Sequence, residues 1–169
     1  MDPENGKLVA KLISDKLSEL APSDAAAFHS RSEDFGNRLE TRLAEWQKIA
    51  KETGLTGAKV VTYHKTWSYF VKRFGMDIVG YVEPKPGIPP SPKHMESIMA
   101  RMKSENVRLI IVEPYFDVKL PQKIAEETGA RLVILPTTVG AEKGIKTYLD
   151  LFDVQIHRLV QAMAGKVQP

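Results

Sequence analysis

The 169-residue sequence contains no cysteine, and this absence excludes several kinds of chemistry. Disulfides, thiolate zinc sites and cysteine nucleophiles all require the missing side chain. The absence does not assign a compartment, because a cysteine-free chain can work in either an oxidising or a reducing environment.

Long apolar runs are also missing, and no run approaches the roughly 18 residues that a membrane span requires. The start, Met1-Asp2-Pro3-Glu4, is not followed by a basic and then an apolar region, so we expect no secretory signal within these residues. The charge is nearly balanced, with 24 basic and 21 acidic residues, and the basic residues form no run. Nucleic-acid binding needs clustered phosphate contacts, so we expect none.

Several enzyme signatures are absent as well. The sequence has no Walker loop, no Gly-x-Gly-x-x-Gly after a predicted strand, no Gly-x-Ser-x-Gly elbow and no His-Glu-x-x-His. A nucleophile–base pair cannot be named from the sequence either.

The first 57 residues form a predicted helical segment. Asp2-Pro3 begins a first helix, since Asp caps helices and Pro suits the first helical position. A second helix is predicted from Ser23 to Glu52, and it would span roughly 45 Å at about 1.5 Å per residue. A compact domain built from the remaining residues would be narrower. This long helix either reaches past what it packs on or supports something outside the chain.

Residues 58–169 alternate between short β-branched segments and helical segments. This alternation favours right-handed crossovers and a parallel sheet with helices on both faces. The predicted fold class is α/β, a four-stranded parallel sheet flanked by helices and preceded by the long amino-terminal helix. The predicted strands are 59–63, 78–82, 109–112 and 131–135, and the predicted helices are 66–74, 92–103, 121–128 and about 142–164.

Candidate site residues follow the predicted strands, because ligands of such sheets sit beyond the carboxyl ends of the strands. These residues are His64, Glu83, Glu113 and Thr137. An imidazole at His64 could bind Zn²⁺ or Mn²⁺ or act as a base, or it could be a hydrogen-bonded structural residue. Each of the two carboxylates could be an oxygen ligand or an ordinary charge partner.

The other histidines are less informative. His94 falls in the first turn of a helix and is interpreted as a surface or capping residue. His29 and His157 lie within helices and are expected to be exposed and inert. Residues 83–92 contain five prolines, which predicts a stiff loop that either walls a binding cleft or simply connects two elements.

Two segments, HKTWSYF from residue 64 and EPKPGIPPSPKH from residue 83, resemble the carboxy-terminal lobe of the periplasmic zinc and manganese substrate-binding proteins of ABC importers. The start, DPEN from residue 2, resembles the entry to that family's long backbone helix. IIVEPYF from residue 110 and LPTTVG from residue 135 resemble its last two strands. The resemblance covers essentially the whole chain but only part of the family's two-lobed protein, whose amino-terminal lobe has no counterpart here.

The resemblance implies a zinc- or manganese-binding lobe that delivers metal to a membrane permease in a periplasmic or extracytoplasmic setting. It also implies a receptor that is not an enzyme. His64 matches a family ligand, whereas Thr137 stands where the family usually has a carboxylate ligand. Glu113 lies on the strand expected between those that carry His64 and Thr137. It is therefore the substitute ligand, with Glu83 as second choice. His64 and Glu113 alone predict weak binding of Zn²⁺ or Mn²⁺ by this chain.

The resemblance also implies partners: the divalent ion, the permease and the missing amino-terminal lobe. An apolar face left without that lobe predicts self-association. Two alternatives stay open at this point. One is a metal-dependent hydrolase that uses His64 with Glu113. The other is an interaction module that binds a protein partner through the long helix and never binds metal.

Overall fold

The computed structural model describes residues 1–85 and 87–165, so Pro86 of the predicted stiff loop and the last four residues of the predicted lobe lie outside the described residues. The chain divides into two compact units, a helical unit Asp2–Lys48 and an α/β unit that begins at Ile49. The boundary between residues 57 and 58 stays a prediction.

The helical unit holds two helices joined by a short turn. Helix α1 spans Asn5–Leu20, a 3₁₀ turn spans Pro22–Asp24, and helix α2 spans Ala25–Glu52, whose last residues belong to the α/β unit. Helix α2 is 28 residues long without a break, which corresponds to about 42 Å. The predicted long helix is therefore present.

Polar side chains bridge the two helices of the helical unit. Ser14 on α1 is buried, and its Oγ lies 3.1 Å from Nδ1 of His29 on α2. Lys7 forms an ion pair with Glu40. The side of α1 that faces α2 is thus partly polar.

The α/β unit is built on a four-stranded parallel sheet. The strands are β1 (Lys59–Thr62), β2 (Asp77–Tyr81), β3 (Leu109–Val112) and β4 (Arg131–Ile134), in the order β2-β1-β3-β4. Strands β1 and β3 occupy the centre and are almost wholly buried, as the apolar sequences of parallel strands require. The predicted parallel sheet is confirmed, and β3 lies between β1 and β4.

Helices cover both faces of the sheet. They are α3 (Ser68–Arg73), α4 (Pro92–Ser104), α5 (Lys119–Thr128) and α6 (Tyr148–Met163). Apolar residues of α4 and α5 form one core cluster with Val61, Val79 and Ile110. On the other face, Phe70 of α3 stacks on Phe152 of α6 with 6.3 Å between ring centroids. This three-layer packing, helices on each side of one sheet, fixes the strand ends that carry the candidate site.

Some predicted boundaries were wrong. Residues 65–67 form a 3₁₀ turn before α3 rather than its first turn. The last helix begins at Tyr148 rather than near residue 142, because Gly144 adopts a φ of 108° and Thr147 caps the helix. Strands β1, β2 and β4 each end one residue earlier than predicted. Within the residues that the structure describes, no helix is both long and apolar enough to cross a bilayer.

Candidate metal-binding site

The candidate residues follow the four strands in the predicted order. His64 lies just beyond β1, Glu83 beyond β2, Glu113 directly after β3, and Thr137 beyond β4. Since all four strands are parallel, these positions share one edge of the sheet. Glu113 follows β3. This strand lies between β1, which leads to His64, and β4, which leads to Thr137.

The ring of His64 is held in one orientation. Its Nδ1 lies 2.9 Å from the carbonyl oxygen of Glu83. A carbonyl can only accept, so Nδ1 carries the hydrogen and donates it, and the neutral ring keeps the lone pair on Nε2. Phe116 contacts the ring edge-on at 4.5 Å between centroids, and the neighbouring Tyr63 does so at 5.0 Å. The side chain is therefore prepared to offer Nε2 to a ligand.

The backbone at His64 is fixed too. The hydroxyl of Thr62 donates to the carbonyl oxygen of His64 at 2.7 Å within the buried end of β1. The residue is only 8% exposed. Shielding from water strengthens any electrostatic interaction that the ring makes.

Glu83 contacts His64 with both its backbone and its side chain. Its Oε2 lies 3.8 Å from Nε2 of His64, which is too long for a hydrogen bond. Two donors bound to one zinc ion at about 2.1 Å in a tetrahedron are separated by roughly 3.4 Å, so this spacing is near what a shared ion needs. Its other oxygen, Oε1, accepts a hydrogen bond from the backbone N–H of Gly87 at 2.6 Å.

Tyr63 completes the surroundings of Glu83. Burial raises the pKa of the Tyr63 hydroxyl, and its hydrogen bond to the Glu83 carboxylate raises that pKa further. Tyr63 also stacks on Phe116 at 4.8 Å between centroids. Sequence reasoning treated Tyr63 only as the end of a strand. The available signal was an aromatic residue directly before the candidate ligand.

Glu113 is the most unusual group of the site. It is fully buried, and within the described part of the chain neither carboxylate oxygen has a hydrogen-bond partner. An unpaired buried carboxylate is costly, and a bound cation is one of the few ways to offset that cost. The orphaned oxygens therefore fit a site for a positive ion.

Thr137 supplies a neutral oxygen where the resemblance implies a carboxylate. Its side chain hydrogen-bonds to Tyr115. Burial raises the pKa of the Tyr115 hydroxyl, and the charge of Glu113 raises it as well. Thr137 thus places an uncharged hydroxyl, and not a carboxylate, beside Tyr115.

The remaining histidines are engaged elsewhere. Nε2 of His94 lies 2.9 Å from the carbonyl oxygen of Tyr81, and its backbone N–H donates to the capping Ser91 hydroxyl at 3.2 Å. His29 and His157 are exposed on their helices. Across residues 1–85 and 87–165, no three or more His, Asp or Glu side chains converge tightly enough to hold a metal ion. The chain thus brings His64, Glu83 and Glu113 to one sheet edge without closing a complete ligand shell.

Comparison with known proteins gives one consistent family. A family model described as ZnuA, the periplasmic component A of a zinc-uptake complex, matches residues 1–162. A high-affinity zinc uptake system protein ZnuA of Brucella abortus is 29% identical over 164 residues, which are 96% of this chain and 47% of that protein. The chain spans about half the length of the curated relatives that it matches.

Solved structures share the fold of this chain. A mutant of the laminin-binding adhesin Lmb of Streptococcus agalactiae aligns with a TM-score of 0.79 and 28% identity, covering 96% of this chain and 61% of that one. A manganese-bound variant of a periplasmic metal-binding protein from Candidatus Liberibacter asiaticus aligns with a TM-score of 0.81, 96% coverage of this chain and 62% of that one. At 19% identity, the second match shows the fold alone.

Proposed function

Since the chain belongs to the ZnuA family of periplasmic zinc-uptake components, we propose that it is a metal-binding lobe of an ABC-importer substrate-binding protein. In this role it binds zinc or manganese as cargo and helps deliver the ion to a membrane permease. The observation that carries the proposal is the ring of His64, whose Nδ1–H donates to the Glu83 carbonyl and leaves Nε2 available at the sheet edge.

His64 and Glu113 are the proposed protein ligands of the ion. Nε2 of His64 offers a neutral nitrogen, and the carboxylate of Glu113 offers negative charge that has no hydrogen-bond partner among the described residues. Glu83 is the second carboxylate within reach, at 3.8 Å from Nε2. An incomplete shell supports weak binding by this chain, with water or further protein ligands filling the remaining positions.

Zinc is the better-supported ion of the two. An imidazole ligand suits zinc, whereas oxygen-only surroundings suit manganese, and zinc stands above manganese in the general affinity order of divalent ions. The name of the Brucella abortus relative also states zinc uptake. By the same relationship, we place the protein outside the cytoplasmic membrane and assign it a receptor role rather than catalysis.

Zinc titration of variants tests this function. Metal-free wild type is compared with His64→Ala and with Glu113→Gln, and His157→Ala serves as the matched control because His157 is exposed on α6. Affinity is measured by competition with a chromophoric chelator. We expect a loss of at least about tenfold in each site variant and wild-type affinity in the control.

The result also separates the two carboxylates. If Glu113→Gln binds zinc like the wild type while Glu83→Gln loses affinity, Glu83 is the carboxylate ligand and the assignment of Glu113 is wrong. Equal affinity in the wild type and His64→Ala would contradict the metal-binding function itself.

A further inference from the structure

Aromatic rings pack against the ring of His64 and leave little of it open to water. Its side chain is 10% exposed, and that of Glu83 beside it is 11% exposed. Tyr63 contacts the His64 ring edge-on at 5.0 Å between centroids, and Phe116 does so at 4.5 Å. All of these residues belong to the α/β unit, so the contacts do not depend on any residue outside this chain.

Of the two aromatic rings, that of Tyr63 is fixed by the sheet. Its backbone N–H donates to the Ile111 carbonyl at 2.8 Å, and its own carbonyl accepts from the Glu83 N–H at 3.0 Å. Its hydroxyl is hydrogen-bonded to the Glu83 carboxylate. Tyr63 is thus tied to the neighbouring segments on both sides of β1.

Phe116 lies in the segment between β3 and α5, which is neither helix nor strand. Its N–H donates to the carbonyl of Glu113 at 3.3 Å and closes a turn directly after that proposed ligand. The side chain is half-buried, and its ring stacks on that of Tyr63 at 4.8 Å between centroids. One turn therefore begins at one proposed ligand and packs an aromatic ring against the other, His64.

We propose that Phe116 is a positioning residue of the metal site, which holds the His64 ring in its ligand orientation and shields it from water. This inference rests on the proposed function. The hydrogen bond from Nδ1 to the Glu83 carbonyl fixes one atom of the imidazole, and the edge-on contact with Phe116 restricts the tilt of the ring about that bond. The apolar surroundings of a metal site also control solvent access and the local dielectric. Phe116 therefore strengthens the binding of an ion without touching it.

Acylation of histidines by diethyl pyrocarbonate tests the shielding. The reagent attacks an unprotonated ring nitrogen, and mass spectrometry of peptides gives the rate at each histidine separately. In wild type, we expect His64 to react more slowly than the exposed His157. Phe116→Ala should raise the rate at His64 at least about fivefold, because the apolar cover is removed. The rate at His157 should not change.

His94 reports whether each variant is folded. Its Nε2 is hydrogen-bonded to the Tyr81 carbonyl at 2.9 Å in the folded protein, so unfolding would raise its rate together with that of His64. Loss of the Phe116 ring alone should raise the rate at His64 and leave that at His94 unchanged. Phe116→Val, a smaller truncation, replaces the alanine variant if His94 shows unfolding, and the same changes are expected of it.

Zinc competition with a chromophoric chelator tests the positioning. Phe116→Ala should bind zinc about tenfold more weakly than wild type. Tyr69→Ala is the matched control: it removes an aromatic ring that is 69% exposed on α3 and should match wild type in both measurements. An unchanged rate at His64, or an unchanged zinc affinity, in a folded Phe116 variant overturns the inference. Equal zinc affinity in wild type and His64→Ala is a different failure, because it contradicts the proposed function and removes the basis of this inference with it.

Discussion

At the carboxyl end of β1, a backbone carbonyl decides which nitrogen of His64 is available. The Glu83 carbonyl accepts the Nδ1–H at 2.9 Å, so Nε2 keeps its lone pair. The side chain of the same Glu83 accepts from Gly87 and from Tyr63. One residue therefore orients the histidine and ties two neighbouring segments to it.

The hydroxyl of Tyr63 gives a prediction about alkaline stability. Its pKa is raised, first by burial and then by the Glu83 carboxylate, so the folded state favours the protonated phenol. That stabilisation is complete below the ordinary tyrosine value of about 10 and is lost as the pH rises through the higher folded value. We expect the free energy of unfolding of wild type to fall above pH about 10, and to fall less steeply in Tyr63→Phe.

Urea unfolding at mildly and at strongly alkaline pH measures this difference. Tyr69→Phe is the matched control, because Tyr69 is 69% exposed and should follow the wild type. If Tyr63→Phe loses stability as steeply as wild type, the phenol of Tyr63 is not the group that responds. At neutral pH, Tyr63→Phe should lower the free energy of unfolding by about 1 kcal/mol, because it removes the hydrogen bond to Glu83.

The positions of His64 and Glu113 could be predicted from the sequence, since each follows a short apolar strand and parallel strands end at one edge. The contact between Tyr63 and Glu83 could not be predicted from the sequence. It depends on the pairing of β1 with β2, in which the Glu83 N–H donates to the Tyr63 carbonyl at 3.0 Å. Which side chains meet across two neighbouring strand ends depends on the register of the pair, and the alternation used to predict the strands does not give that register.

Among the elements, the start of α6 shows how local chemistry overrides an apolar pattern. Ile145 continues the apolar spacing of α6 upstream of Tyr148, and this continuation predicted a helix from about residue 142. The structure instead begins the helix after Thr147, whose hydroxyl accepts from the Asp150 N–H at 3.2 Å, while Asp150 accepts from the Thr147 N–H at 2.8 Å. The Thr-x-x-Asp spacing was the available signal.

This capping box predicts the effect of one substitution. Thr147→Ala removes the hydroxyl that accepts from the first turn of α6 and should lower the free energy of unfolding by about 1 kcal/mol. Chemical denaturation at neutral pH measures the loss. Thr138→Ala, at an exposed position before the helix, should change stability by less than about 0.5 kcal/mol. Equal losses in the two variants would show that the cap does not stabilise α6.

For the whole molecule, the parallel sheet and the long helix followed from alternation and spacing in the sequence, and both are present. The number of metal ligands could not be predicted from those patterns. Thr137 replaces the expected carboxylate, and within the described residues no group of three acidic or histidine side chains closes a shell. The proposed metal site would therefore need ligands beyond those that this sheet edge supplies.

That shortage of ligands predicts how this chain compares with a longer relative. The Brucella abortus protein, of which the chain covers 47%, is measured beside it by zinc competition with the same chelator. We expect this chain to bind zinc at least about a hundredfold more weakly, because each ligand missing from a tetrahedral site forfeits a substantial share of the binding free energy. Zinc should still bind more tightly than manganese, since His64 offers nitrogen. Affinity equal to that of the longer protein would show that this sheet edge forms a complete site by itself.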